Sequence, residues 1–263
     1  MTITELMDIL DIPSSVISEV MKYQKAIEQL PQNQILSFTK IETWETTWNA
    51  LKQQNDPHGY FILCCMLNAC LYTYQRYQAK HIPFSIFIDT MKCFPRFIKE
   101  HKISFGEYGF DRDFWVGRQL SMQLFRLGIL EYEIDHDAHC ISIHIPSDAI
   151  LSKQACLSSI SLAKQFFHTY EPILDAYPYR CCSWLLSPAL KELLPNNSSI
   201  LQFQQMFSII DWNQENEEFM MWVYHTFDQS YDRLPQQTTL QVNMKQYLQK
   251  GGKIGEATGE FIY

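Results

Sequence analysis

The chain has 263 residues, 46% hydrophobic and 14% aromatic, with a formal net charge of −8. A chain of this length can bury roughly 70–75% of the surface its unfolded form exposes, which suffices for one large domain or two ordinary ones and is at odds with a disordered chain. The acidic balance argues against a nucleic-acid footprint, which needs clustered Lys and Arg.

Glu5 and Asp8 stand where a signal peptide would carry basic residues, and polar residues interrupt every apolar run before about 18 residues. A cytoplasmic protein without a membrane span is expected. Asp11 and Pro13 suit a helix start, followed by Val16, Ile17, Val20, Met21 and Ile27 on one apolar face; Leu30-Pro31 closes it. Thr43 to Gln54 places Trp44, Trp48 and Leu51 at helical spacing. Asp56-Pro57 opens the segment Tyr60 to Tyr77, apolar on nearly all sides and therefore expected at a domain centre. Pro83 begins a helix bearing Phe84, Phe87, Ile88 and Met91, which Pro95 should kink or restart. The next helix starts at Asp111, turns Trp115, Leu120, Leu124 and Phe125 inward, and stops at Gly128. No strand is predicted before Ile129.

The texture then changes. Ile129–Ile134 and Cys140–Ile145 read as a hairpin around D-H-D-A-H. Ser152 caps a helix with the stripe Cys156, Ile160, Ala163, Phe167 and Tyr170. Tyr179 to Leu186 reads as a strand, with helices around Ala189–Leu194 and Ser199–Phe207, a strand at Phe207–Trp212 and helices at Glu217–Phe227 and Thr239–Lys250. Lys253 to Ile262 can close the sheet. The expectation is an α+β protein: an all-helical N-terminal domain (residues 1–130) followed by a mixed α/β domain (131–263).

The eight cysteines include two adjacent pairs and no C-x-x-C, which suits buried free thiols better than a disulfide framework. Ser199 with Gln202, and Thr238 with Gln241, match the capping-box pattern. Asp135, His136, Asp137, His139, Cys140 and His144 are zinc-ligand types, but their spacing matches no recurrent zinc motif and a polar hairpin turn accounts for them, so no metal is expected. Tyr72, Tyr74 and Tyr77 beside Arg76 read as core and helix surface rather than a base-stacking platform, and no nucleic-acid partner is expected. Oligomeric state is not legible.

The phrases I-H-I-P-S-D-A-I-L-S, Y-R-C-C-S-W-L-L-S-P, N-N-S-S-I-L-Q-F-Q, L-P-Q-Q-T-T-L-Q and G-G-K-I-G-E-A-T-G-E-F together resemble a bacterial family of acyltransferase domain-containing proteins. That family joins a helical N-terminal domain to a GNAT-like (N-acetyltransferase-like) C-terminal domain. The resemblance implies an N-acyltransferase with acyl-CoA as co-substrate and a small-molecule or peptide amine as acceptor. A non-catalytic interaction module retaining the GNAT-like sheet is the alternative.

GNAT enzymes hold the donor pyrophosphate between a central strand and the next helix, usually through Q/R-x-x-G-x-G/A. Here that step runs from His144 to Lys153 without a glycine and with Asp148 in it. The resemblance assigns donor binding to Ile145, Ser147, Ser152 and Lys153, where a helix N-terminus can still hold phosphate. From residue 136 onward there are eight Lys and Arg against thirteen Asp and Glu, so Lys153, Lys164 and Arg180 would have to gather at the groove. Strand alternation puts Cys182 and Trp184 on one face, Cys181 and Ser183 on the other. Ser183 is the candidate polar group beside the thioester and Tyr247 the candidate acid for the departing thiolate. Glu217 and Glu218 are possible bases, but they better suit a solvated helix start, where acidic residues complement the dipole. A covalent route through Cys181 or Cys182 is the third possibility.

Overall fold

The computed structural model describes residues 1–52, 56–226 and 230–263. Gln54 and Phe227, assigned to helix ends from the sequence, lie outside them. The chain divides into two units, Met1–Leu127 and Gly128–Tyr263.

The first unit is built on helices α1 (Ile3–Ile9), α2 (Ser14–Glu28), α3 (Gln32–Ser37), α4 (Trp44–Lys52), α5 (Tyr60–Ala79), α6 (Phe84–Met91), α7 (Cys93–Phe105) and α8 (Asp113–Leu120). The all-round apolar segment becomes α5, whose residues from Ile62 to Leu67 are all buried. Around it pack α1, α2, α3, α4, α6 and α8. Gly59 allows the approach: its φ is +72°, and an added Cβ would lie 2.1 Å from the Phe110 carbonyl oxygen. Pro95 restarts the chain as expected, but the break falls at Lys92 and the proline sits in the first turn of α7, where a missing N–H costs nothing.

Two short helices escape the periodicity reading. The first, α1, is closed by a Thr2–Glu5 capping box, and α3 follows Pro31 directly. Met21 and Phe84, predicted inward, are exposed. The helix expected to run to Gly128 stops at Leu120: Met122 takes a left-handed backbone (φ 62°), and Leu124–Leu127 is a strand, β1. β1 packs on α6, where the Arg126 amide donates to Thr90 Oγ1 at 3.0 Å.

The second unit contains β2 (Leu130–Asp135), β3 (Cys140–His144), α9 (Lys153–Tyr170), β4 (Tyr179–Ser183), α10 (Leu190–Leu193), α11 (Ser199–Gln204), β5 (Phe207–Asn213), α12 (Phe219–Tyr224), α13 (Thr239–Gln249) and β6 (Glu256–Phe261). The strands lie in the order β2-β3-β4-β6-β5. Only the β3–β4 pair is parallel; the others are antiparallel. A parallel neighbour needs a long crossover, which the 18-residue α9 supplies.

One face of this sheet carries Tyr132, Ile141, Ile143, Cys181, Ala257 and Phe207, all buried. Ser159, on α9, sits against it: its Oγ receives the Tyr132 hydroxyl at 2.9 Å and the Leu130 amide at 3.2 Å. Burial raises the Tyr132 hydroxyl pKa well above its ordinary value, so it donates and does not ionise. The opposite face carries Glu133, Ser142, His144, Arg180, Cys182, Thr258, Glu256 and Glu260, since register and alternation place them together. A second apolar cluster, including Leu190, Phe219, Met244 and Leu248, ties α10, α12 and α13 together, with Trp184 and Tyr247 packed against it.

Two local readings change and one holds. The predicted strand Tyr179–Leu186 ends at Ser183, and Trp184–Leu186 forms a 3-10 turn, so Trp184 does not share a strand face with Cys182. The helix after Pro195 is capped by Ser198, whose Oγ accepts from the Leu201 amide; Ser199 is already helical and Gln202 donates instead to the Asn197 carbonyl. Both serines fit the pattern, and only the backbone angle decides which one caps. Thr238 with Gln241 does form the capping box.

Candidate active site

The central feature is a parallel pair that separates. β3 and β4 share only the pairs Ile141↔Tyr179 and Ser142↔Arg180. Beyond them each strand stays bound on its outer side: β3 pairs with β2 as far as His144↔Glu131, and β4 with β6 as far as Ser183↔Ala257. Beyond those two pairs Ile143–His144 and Cys181–Ser183 are not paired with each other, at the carboxyl ends of two parallel strands, where open sheets place ligands.

The chain leaving β3 makes a turn at Ser147-Asp148, closed by the Ala149 amide on the Pro146 carbonyl at 2.9 Å, and enters α9. Ser152 caps that helix, accepting from the Ala155 amide at 3.2 Å. This occupies one first-turn donor. The amides of Lys153 and Gln154 have no intrahelical acceptor by construction, and they carry the positive end of an 18-residue helix. Ile145 is half-buried and Ser147, Ser152 and Lys153 are exposed.

Of the three cations, two meet. Lys153 Nζ lies 5.1 Å from the centre of the Tyr263 ring, and Lys164 Nζ donates to the Tyr263 carbonyl at 3.2 Å. Arg180 is committed to Glu260, with 3.1 Å between Nε and Oε2.

Ser183 ends β4 on the face shared with Cys181. Its Oγ accepts from the Leu185 amide at 3.2 Å, which leaves its own proton available for donation. Tyr247 is half-buried, and its ring presses on Gly252, where an added Cβ would lie 2.4 Å from it.

Cysteine reactivity has an unfavourable setting. Seven of the eight thiols are buried and Cys182 is exposed. Burial pushes the Cys181 thiol far up, and burial with the charge of Glu256 pushes Cys182 up as well. A thiolate nucleophile needs the reverse. The hairpin histidines are tied locally: His139 Nδ1 to the Tyr177 hydroxyl at 3.1 Å, His144 Nε2 to Glu133 at 2.8 Å. Among the described residues, no three His, Cys, Asp or Glu side chains are placed to hold a metal ion.

Sequence reading passed over one cluster. Glu256, at the start of β6, receives Asn216 Nδ2 at 2.9 Å and lies against the Cys182 thiol, which also meets the Thr258 hydroxyl. Burial, then the charge of Glu218, raise the Glu256 carboxyl above its ordinary value. Alternation would have grouped Cys182, Thr258 and Glu256 had the pairing of β6 beside β4 been legible. A cavity of about 160 Å³ is lined by Gln214, Glu215 and Glu217 with Tyr231 and Leu248, away from the residues of β3 and β4.

A GNAT-like C-terminal domain model matches residues 99–261, and an N-acyltransferase N-terminal domain model matches residues 1–122. The chain belongs to the family defined by that GNAT-like C-terminal domain. Among solved structures, an acyltransferase in complex with decanoyl-CoA and teicoplanin is similar at a TM-score of 0.79 and 20% identity, over 98% of this chain and 87% of that one. An acyltransferase in complex with decanoyl-CoA gives 0.79 and 21%, over 98% and 86%. A third, with CoA and 10C-teicoplanin, gives 0.79 and 19%, over 98% and 86%. At these identities the likeness is one of fold. No curated protein matches the chain.

Proposed function

We propose that the protein is an N-acyltransferase that moves an acyl group from coenzyme A to the amine of a small-molecule acceptor by direct attack. The observation that carries this reading is that the parallel β3–β4 pairing ends after two residue pairs, and that the chain leaving β3 runs on into the N-terminus of α9. Strand backbone not paired with a neighbour suits a pantetheine arm, whose amides can bond as a strand would. Ile145, Ser147, Ser152 and Lys153 would then hold the donor at and beyond the end of β3, its phosphates meeting the first turn of α9 and the ammonium of Lys153. The fold-level neighbours with bound acyl-CoA or CoA support the donor, and those with teicoplanin or its derivative support a small-molecule acceptor.

In this reading Ser183 donates to the thioester carbonyl oxygen as negative charge develops on it. Tyr247 supplies a proton to the departing thiolate. The turn carries Asp148 and no glycine, so the helix N-terminus and Lys153 bear most of the anion binding.

A thermal-shift series with acetyl-, octanoyl- and decanoyl-CoA tests the reading. A donor at about 100 times its dissociation constant stabilises the fold by roughly 2.7 kcal/mol. A rise in melting temperature that Lys153→Glu abolishes is expected. An unchanged melting temperature with every thioester would leave the non-catalytic interaction module as the better account.

A further inference from the structure

Deprotonating an amine as it attacks requires a base beside the thioester, a role not filled by the donors Ser183 and Tyr247. Two groups on the polar sheet face come near the unpaired ends of β3 and β4. His144, on β3, is held by the Glu133 carboxylate. Glu256 lies on the β4 side, one strand further on, and reaches back to Cys182, two residues beyond the last β3–β4 pair.

The surroundings of Glu256 differ from those of Glu133 and Glu260 on the same face. Glu260 has Arg180, and Glu133 has His144. Around Glu256 the charged or titratable neighbours are Cys182 from β4 and Glu218 from the residue preceding α12; Asn216 and Thr258 add neutral contacts. Neither titratable neighbour is a cation. A carboxylate so placed binds a proton more tightly than a paired one, which is what a base needs.

We propose that Glu256 is the catalytic base that takes the proton from the attacking amine. The inference rests on the acyl-transfer reading above. The amine nitrogen bonds to the thioester carbonyl carbon and the carbon–sulfur bond breaks. Coenzyme A leaves as the thiolate and is reprotonated, while the nitrogen's proton passes to Glu256 and from it to water. Ser183 and Glu256 approach from opposite sheet faces, the hydroxyl toward the carbonyl oxygen and the carboxylate toward the nucleophile. Cys182 is a neighbour in this scheme and forms no acyl-enzyme.

The exposed Cys182 gives a test that needs no acceptor. Wild-type protein is treated with iodoacetamide, with and without decanoyl-CoA, and Cys182 alkylation is followed by peptide mass spectrometry beside a melting curve. Decanoyl-CoA should raise the melting temperature and slow Cys182 alkylation at least about fivefold. Glu256→Gln should then lower kcat for transfer to a primary alkylamine about 100-fold, leave KM for decanoyl-CoA within about twofold, and remove the acid limb of the kcat–pH profile. A melting shift with unchanged Cys182 alkylation overturns the role of Glu256 while leaving donor binding intact. So does Glu256→Gln with near-wild-type kcat and the acid limb retained, an outcome that points to His144. No melting shift at all removes the acyl-transfer reading first, and the base with it.

Discussion

Asp113, buried in the helical unit, and Glu256, half-buried in the sheet unit, have surroundings that differ in kind. Asp113 is 1% exposed; Trp48 Nε1 donates to one of its oxygens at 2.7 Å and Lys52 Nζ meets the other at 3.2 Å. Glu256 has an amide, a thiol and a second carboxylate. The Trp48 indole and the Lys52 ammonium tie α4 to α8 through Asp113. A carboxylate beside another carboxylate keeps its proton longer and is available for proton transfer. The first arrangement belongs to architecture, the second to chemistry.

Substitutions can break or sharpen this contrast. The largest effect should come from the helical core: Leu63→Ala, at a fully buried position on α5, should lower stability by about 3 kcal/mol in urea denaturation. A loss below about 1 kcal/mol would mean that α5 is not the centre of its unit. Asp113→Ala should cost about 2 kcal/mol by stranding the Trp48 indole N–H; a neutral result would remove Asp113 from the architecture. In the sheet, Gly259→Ala should cost about 1–2 kcal/mol, because the new Cβ would stand 2.8 Å from Phe207 Cβ and 3.0 Å from Leu186 Cδ1. Thr238→Ala should cost about 1 kcal/mol through the lost capping box of α13.

The smallest effect is the most diagnostic. Glu256 holds its proton more tightly in the folded than in the unfolded chain, so its contribution to stability is complete below the unfolded value, near 4.5, and is lost as pH rises through the higher folded value. Glu256→Gln should therefore flatten the fall of melting temperature above pH 4.5 and leave the protein no less stable at pH 7.5. A lower melting temperature at pH 7.5 would show that the charged carboxylate is a structural partner like Asp113.

Much of this architecture was legible because its residues follow one strong period. The all-round apolar α5, the D-H-D-A-H hairpin, the stripe of α9 and the glycine stop of α13 each emerge from local pattern. Short elements did not: α1 and α3 offer too few turns for a periodicity, and Leu124–Leu127 continues the apolar spacing of α8 until the left-handed Met122 interrupts it. For the candidate site, the cap at Ser152 was readable because capping is local. The grouping of Cys182 with Glu256 was not, since it depends on β6 inserting between β4 and β5 across more than 40 residues of intervening chain. Long-range pairing leaves no trace in the spacing of either strand.

Helix α5 also has a consequence for the order in which the first unit comes apart. Twenty residues make a rod of about 30 Å, and six other helices lean on it. Its amides should exchange with deuterium only when the whole unit opens, whereas those of α1, a helix of seven residues, can exchange through local opening. The slowest protons in the helical half should thus map to one continuous stretch, its centre near Met66.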